Sequence, residues 1–225
     1  MNQQTALVVG ASKGIGLAVV KRLSAMNVNL LATWNTTRPA EGDKNTRWIQ
    51  ADITNEISMS DLISACRGQQ FDLILINAGI YGPAHQDICR ASGKETETVF
   101  TVNAVAPVQA ANMLIPFLRL DNNAVLGIMT SRLASLTENP EAEMPLYAAS
   151  KAALNMLTRS LLDTIRRKGA TLLSIHPGWV QTDMGGYMAP VKPEQSAEGI
   201  ISQMMHYRAA GGHHFVDYSG GELAW

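Results

Sequence analysis

Thr5-Ala6-Leu7-Val8-Val9-Gly10-Ala11-Ser12-Lys13-Gly14-Ile15-Gly16 sets a short apolar run against a turn with three glycines in the spacing GxxxGxG. From residue 15 to 26 apolar side chains recur at helical spacing, so the stretch reads strand, glycine turn, helix. The same alternation continues down the chain. Strands are expected at 28–33, 48–51, Leu73–Ile76, Val125–Met129, 171–175 and 214–216, and helices at 57–66, 99–118, 146–165 and 196–205. Strands that are apolar throughout and alternate with helices belong to a parallel sheet covered on both faces. With right-handed crossovers the expectation is an α/β fold, a doubly wound sheet of about seven strands, whose ligands bind beyond the carboxyl ends of the strands. No proline-rich or charged linker interrupts the series, so residues 1–225 are read as one domain.

Composition narrows the function. A chain of 225 residues with 46% hydrophobic side chains can bury a sizeable core. With 18 basic and 19 acidic residues, the net charge of -1 gives no field to gather nucleic acid or an anionic membrane surface, and neither partner is expected. Cys66 and Cys89 form no CxxC pair, and the five histidines show no metal-binding spacing, so neither disulfide framework nor catalytic metal is expected. The start, Met1-Asn2-Gln3-Gln4, has no basic leader region, and a cytoplasmic location is expected.

The glycine turn points to a dinucleotide. Glycine permits the tight turn and a close approach of the backbone to a pyrophosphate, and the helix behind it offers unpaired N–H groups and a positive dipole end. In this first strand–helix unit the motif is that of a Rossmann-type nucleotide site. At the second strand no acidic residue is present to bond an adenosine ribose 2′-hydroxyl. The run ends Ala32-Thr33-Trp34-Asn35 with Arg38 following, and Lys13 projects from the turn, which favours NADP(H) over NAD(H). Asp52 is a candidate for the adenine amino group and equally a helix N-cap before Ile57.

Tyr147-Ala148-Ala149-Ser150-Lys151 places a phenol and an ammonium one helical turn apart on one face. A neighbouring cation favours the phenolate, so the pair is expected to exchange a proton near neutral pH, as hydride transfer to a carbonyl requires. The motifs Gly10-x-x-x-Gly14-x-Gly16, Asn77-Ala78-Gly79, Asn103, Ser131, Tyr147-x-x-x-Lys151 and Pro177-Gly178-Trp179-Val180-Gln181-Thr182 run in the order of the short-chain dehydrogenase/reductases, which the chain resembles over nearly its whole length. The stretches at 176–186 and 215–225 further resemble the short carbonyl-reductase-like branch that includes sniffer and C-factor-type proteins.

That resemblance implies an NADPH-dependent reductase of a small-molecule carbonyl compound, an aldehyde, ketone or quinone. Tyr147 would be the general acid, Lys151 would lower its pKa and hold the nicotinamide ribose, Ser131 would orient the carbonyl and Asn103 would hold a water behind Lys151. Gly10, Ser12, Gly14, Ile15 and Gly16 would meet the phosphates and ribose, Asp52 and Ile53 the adenine, and Asn77, Ala78 and Gly79 the adenosine half. Val180 and Thr182 would receive the nicotinamide carboxamide, and Pro177 and Gly178 would also meet the cofactor. A homodimer or homotetramer is implied by resemblance alone. Two departures stand out: Val9 replaces a threonine common before the first glycine, and the stretch from Ser131 to Tyr147 is longer than usual, leaving Thr130 as an alternative hydroxyl. The insert at 133–144 is expected as a loop at the pocket rim, and 183–195 as a substrate lid with Met184 at the pocket. His176 is expected to be a satisfied structural histidine. The competing reading is a cofactor-binding, redox-sensing regulatory protein with little turnover.

Overall fold

The computed structural model describes residues 3–40 and 45–225; Met1 and Asn2, part of the start read above, lie outside it. Seven strands form one parallel sheet in the order β3-β2-β1-β4-β5-β6-β7. They are β1 Thr5–Val9, β2 Asn29–Trp34, β3 Thr46–Gln50, β4 Leu73–Ile76, β5 Val125–Met129, β6 Thr171–His176 and β7 His213–Asp217. The strand order reverses between β1 and β4, the switch point at which such sheets open a crevice.

Because side chains alternate along each strand, the apolar runs feed two cores at once. Leu7, Val9, Ile74, Ile76, Leu126 and Ile128 face one side. There they meet α2 (Glu56–Cys66), α4 (Ala106–Leu114), α5 (Pro145–Thr158) and α6 (Leu162–Lys168). Ala6, Val8, Leu73, Leu75, Val125 and Leu173 face the other, where α1 (Gly14–Ala25) and α7 (Pro193–His206) pack together. The doubly wound α/β architecture expected from the sequence is thereby present.

Three expectations need correction. The helix read at 99–118 begins earlier, as α3 (Gly93–Phe100), and passes through a π-helical turn at Thr101–Val105 before α4. Pro107 explains the interruption, since it has no N–H to offer the carbonyl four residues back, that of Asn103. The run Gly93–Phe117 is long and apolar enough by composition to cross a bilayer, but Ala104, Ala110, Ala111 and Leu114 are core residues against the sheet. The helix read at 146–165 tightens into a 3-10 turn at Arg159–Leu161 between α5 and α6. Finally, α7 starts at Pro193, so the segment read as 183–195 ends sooner, at Lys192. Proline suits the first helical position, where its missing N–H costs nothing.

At the edge of the sheet the chain folds back after β7. The Asp217 N–H donates to the Gly221 carbonyl and the Leu223 N–H to the Phe215 carbonyl, and Trp225 lies on the rings of His213 and Phe215. At the other functional end, buried Thr33 of β2 holds the glycine turn: its hydroxyl accepts from the Gly10 N–H at 2.9 Å and its carbonyl from the Ala11 N–H at 2.8 Å. Thr33→Val keeps the shape and strands a donor, so it should lower unfolding stability by about 1–3 kcal/mol, read as an earlier urea midpoint.

Candidate functional site

The site is built where β1 and β4 part. Gly10 has φ +81, and a Cβ there would lie 2.8 Å from the Ala78 backbone nitrogen. Gly16 admits no side chain either, because its Cβ would meet the Gly10 carbonyl oxygen at 2.3 Å. Asn77 closes this junction by donating from Nδ2 to the Gly10 carbonyl at 2.7 Å. The glycines therefore let helix, turn and two strand ends converge.

A cavity of about 510 Å³ opens above the junction, and its walls join the two halves of the sequence reading. Gly10, Ser12, Lys13, Gly14 and Ile15 line it. Asn77, Ala78, Gly79, Thr130, Tyr147, Lys151, Pro177 and Thr182 join the lining, with Thr182 lying against Gly14. The N-terminus of α1 faces it with no side-chain cap and no acidic residue in its first turn. Unpaired N–H groups at a positive dipole end fit a pyrophosphate, so the residues present suit a dinucleotide. Lys13 also borders the cavity but is engaged: its ammonium donates to Asp183 at 2.7 Å, spanning from the glycine turn to the segment after Thr182. Both partners are exposed, so water screens the pair and it opens at little cost.

Tyr147 stands in the first turn of α5, its ring stacked 6.1 Å from that of Tyr81, and the nearby Ser131 hydroxyl favours ionisation of its phenol. Of the two hydroxyls after β5, Ser131 is the one that bears on the ionisation of Tyr147. The Thr130 hydroxyl is buried without a partner among the described residues. The expected depression of the Tyr147 pKa is overturned. Burial pushes the phenol up to about 12, against the smaller opposing pull of Ser131. Lys151 lies 5.9 Å from the ring centroid and donates to the Met129 carbonyl at 3.1 Å. Burial brings its ammonium down to about 8, below the ordinary lysine range but still mostly charged at neutral pH. At neutral pH the pair accordingly presents a protonated phenol, the form an acid requires.

Asn103 is fully buried in the π-helical turn. It accepts from the Ile80 N–H and donates to the Ile80 carbonyl, both at 2.8 Å, and donates to the Ser150 hydroxyl at 3.1 Å. Its amide thus anchors the loop after β4 to α5.

Several expected residues stand apart from the cavity. Asn35, Arg38, Asp52 and Ile53 sit after β2 and β3, outside its described walls. Asp52 is not the helix cap, which is Asn55; the Asp52 carboxylate accepts from the Thr54 N–H and hydroxyl. Val180 is buried and bridges to Val191, while Gly178 abuts the Tyr218 ring, so neither borders the cavity. Met184 does line it, and the segment carrying it is tied down by Trp179 Nε1 to the Gly185 carbonyl and Gln181 to the Ala189 carbonyl. The insert after Ser131 is an exposed loop organised around Asn139, which bonds Leu133 and Glu143. His176 departs from expectation: its Nδ1 is buried without a partner among the described residues, and burial brings its pKa down to about 4. Sequence reading missed Gln86, whose side-chain oxygen accepts from the Tyr147 N–H at 2.9 Å. Nothing in the spacing marks it.

Comparison with known proteins agrees with this geometry. The short chain dehydrogenase family profile matches residues 4–192. The chain is 35% identical to the C-signal of Myxococcus xanthus over 164 residues, covering 72% of this chain and 96% of that protein. Its fold superposes with a TM-score of 0.88 on a carbonyl reductase from Pseudomonas aeruginosa PAO1 in complex with NADP, at 31% identity and full coverage of both chains. It superposes with 0.84 on the carbonyl reductase Sniffer of D. melanogaster, at 27% identity and full coverage of both. The protein belongs to the short chain dehydrogenase family and is an oxidoreductase of that family.

The buried ammonium has a consequence for stability. Lys151 has a lowered pKa in the folded protein, so below about 8 the fold carries the cost of charging it, and its stability rises with pH from there toward the ordinary lysine range. In calorimetry without ligand, Lys151→Met should therefore melt roughly 2–6 °C higher than the parent near pH 7, and the gap should close by about pH 10.

Proposed function

We propose that the protein is an NADPH-dependent reductase of small carbonyl compounds. The observation that carries this reading is one cavity lined both by an uncapped helix N-terminus and by a protonated, buried phenol. The α1 terminus and the glycine turn hold the pyrophosphate, and Asn77, Ala78 and Gly79 lie beneath the adenosine half. Lys13 and Arg38 answer the 2′-phosphate, Lys13 leaving its exposed partner Asp183 to do so. The reduced nicotinamide supplies the hydride for the carbonyl carbon. Tyr147 gives its phenolic proton to the carbonyl oxygen, Ser131 orients that oxygen, and Lys151 steadies the ribose hydroxyls while stabilising the phenolate that remains. Met184 offers an apolar, adaptable contact for the rest of the substrate.

The C-signal likeness favours the second reading, a regulatory protein that binds the dinucleotide with little turnover. Turnover distinguishes the two. With NADPH and a panel of aldehydes, ketones and quinones, the protein should oxidise the cofactor; binding without turnover across the panel would support regulation instead.

Tyr147→Phe should retain NADPH binding and lose activity by about 10² to 10⁴-fold, as for removal of a positioned acid. Unchanged turnover in that variant would refute the assignment. Lys13→Glu should weaken NADPH binding by roughly tenfold or more, as loss of a charged hydrogen bond does, while leaving NADH nearly unaffected. Titration by cofactor fluorescence reads both, and equal losses would remove the argument for the 2′-phosphate.

A further inference from the structure

Helix α5 begins without a cap of its own. Its N-cap position is Met144, in the left-handed region at φ 49, and no side chain of the flanking residues accepts from the first turn. Pro145 brings no N–H, and the first intrahelical bond of the turn runs from Ala148 to the Met144 carbonyl. The Tyr147 N–H is therefore one of the donors that a helix start leaves unpaired. Its acceptor comes from the loop after β4, where the side-chain oxygen of Gln86 reaches it at 2.9 Å.

Gln86 is built for this contact. It is 6% exposed and held at φ 53, a backbone conformation that costs a non-glycine residue energy and persists only where surroundings enforce it. The side-chain nitrogen donates to the Tyr81 carbonyl at 3.0 Å and to the Pro83 carbonyl at 2.8 Å. Both donors and one acceptor site of a buried amide are thus in use, which fixes its orientation. The same loop carries the Tyr81 ring that stacks on Tyr147.

We propose that Gln86 is a positioning residue: it caps α5 from outside the helix and sets the height of the Tyr147 phenol in the cavity. The inference rests on the reading of Tyr147 as the proton donor. Through its two bonds to the loop, Gln86 makes the backbone of Tyr147 follow that loop rather than the fraying of a helix end. A proton donor displaced by about 1 Å loses on the order of 10²-fold in rate, so an uncapped first turn should reach kcat before it reaches cofactor affinity.

The test uses Gln86→Met, which keeps the volume and removes all three hydrogen bonds, and Gln86→Glu, which keeps an acceptor for the Tyr147 N–H. In Gln86→Met, kcat should fall roughly 10- to 100-fold with NADPH affinity within about threefold, and Gln86→Glu should recover part of the kcat. Amide exchange of Tyr147, followed in the protein without substrate, should speed up in Gln86→Met and remain slower in Gln86→Glu. Unchanged kcat, equal loss of kcat and cofactor affinity, or unaltered exchange at Tyr147 would overturn the proposal. If Gln86→Met does not fold, the Glu variant decides: exchange as slow as in the parent supports capping, and exchange as fast as in an unprotected amide defeats it. Parent enzyme that turns over no carbonyl compound defeats the reductase reading alone, because the exchange measurement still reports on the cap.

Discussion

The backbones of β1 and β4 approach so closely at their carboxyl ends that a single methyl group at Gly10 would collide with Ala78. This contact determines where everything else stands. It lets Asn77 reach back to the turn and brings Gly16 of α1 against the Gly10 carbonyl. The cavity is the gap left by these elements, and Tyr147 and Lys151 are useful only because α5 brings them to its wall.

Beneath that cavity the protein maintains an unusually polar layer for an interior. Asn103, Ser150, Gln86 and Lys151 are all buried, and each bonds to backbone or to another member. Satisfied polar groups in a low-dielectric interior are rigid, since each alternative arrangement leaves a donor or acceptor stranded. Lys151 is the exception in energy, though it has a partner. Its charge is disfavoured where it lies, and a chain selected for stability alone would place an apolar side chain there. Retaining a destabilised cation beside a protonated phenol is what a site does when its function requires ionisable groups close together.

Much of this was legible in the sequence because it depends on local patterns. The apolar runs gave strand positions, and three glycines between a strand and a helix announced the turn whose close contacts only glycine allows. Tyr147 and Lys151 share a face by helical spacing alone. What remained hidden depends on contacts between distant segments or on chemistry against the local trend. Pro107 breaks the helix read at 99–118, yet the π-helical turn that results follows from how the ladder adjusts in place. The Gln86 contact joins the loop after β4 to the first turn of α5, and the pairing of Lys13 with Asp183 joins residues 170 positions apart in the chain. The direction of the Tyr147 pKa was misread because spacing gives the distance between two side chains along a helix and says nothing of the water excluded from both.

The return of the chain after β7 has a consequence beyond the site. A parallel sheet ends in a row of unpaired N–H and carbonyl groups, and such a row is a template on which another chain can add a strand. Here residues after Asp217 turn around and occupy part of that row, with Trp225 sealing the side chains next to it. Strand addition at this border would first have to peel the segment away, so the fold carries its own guard against runaway self-association on that side.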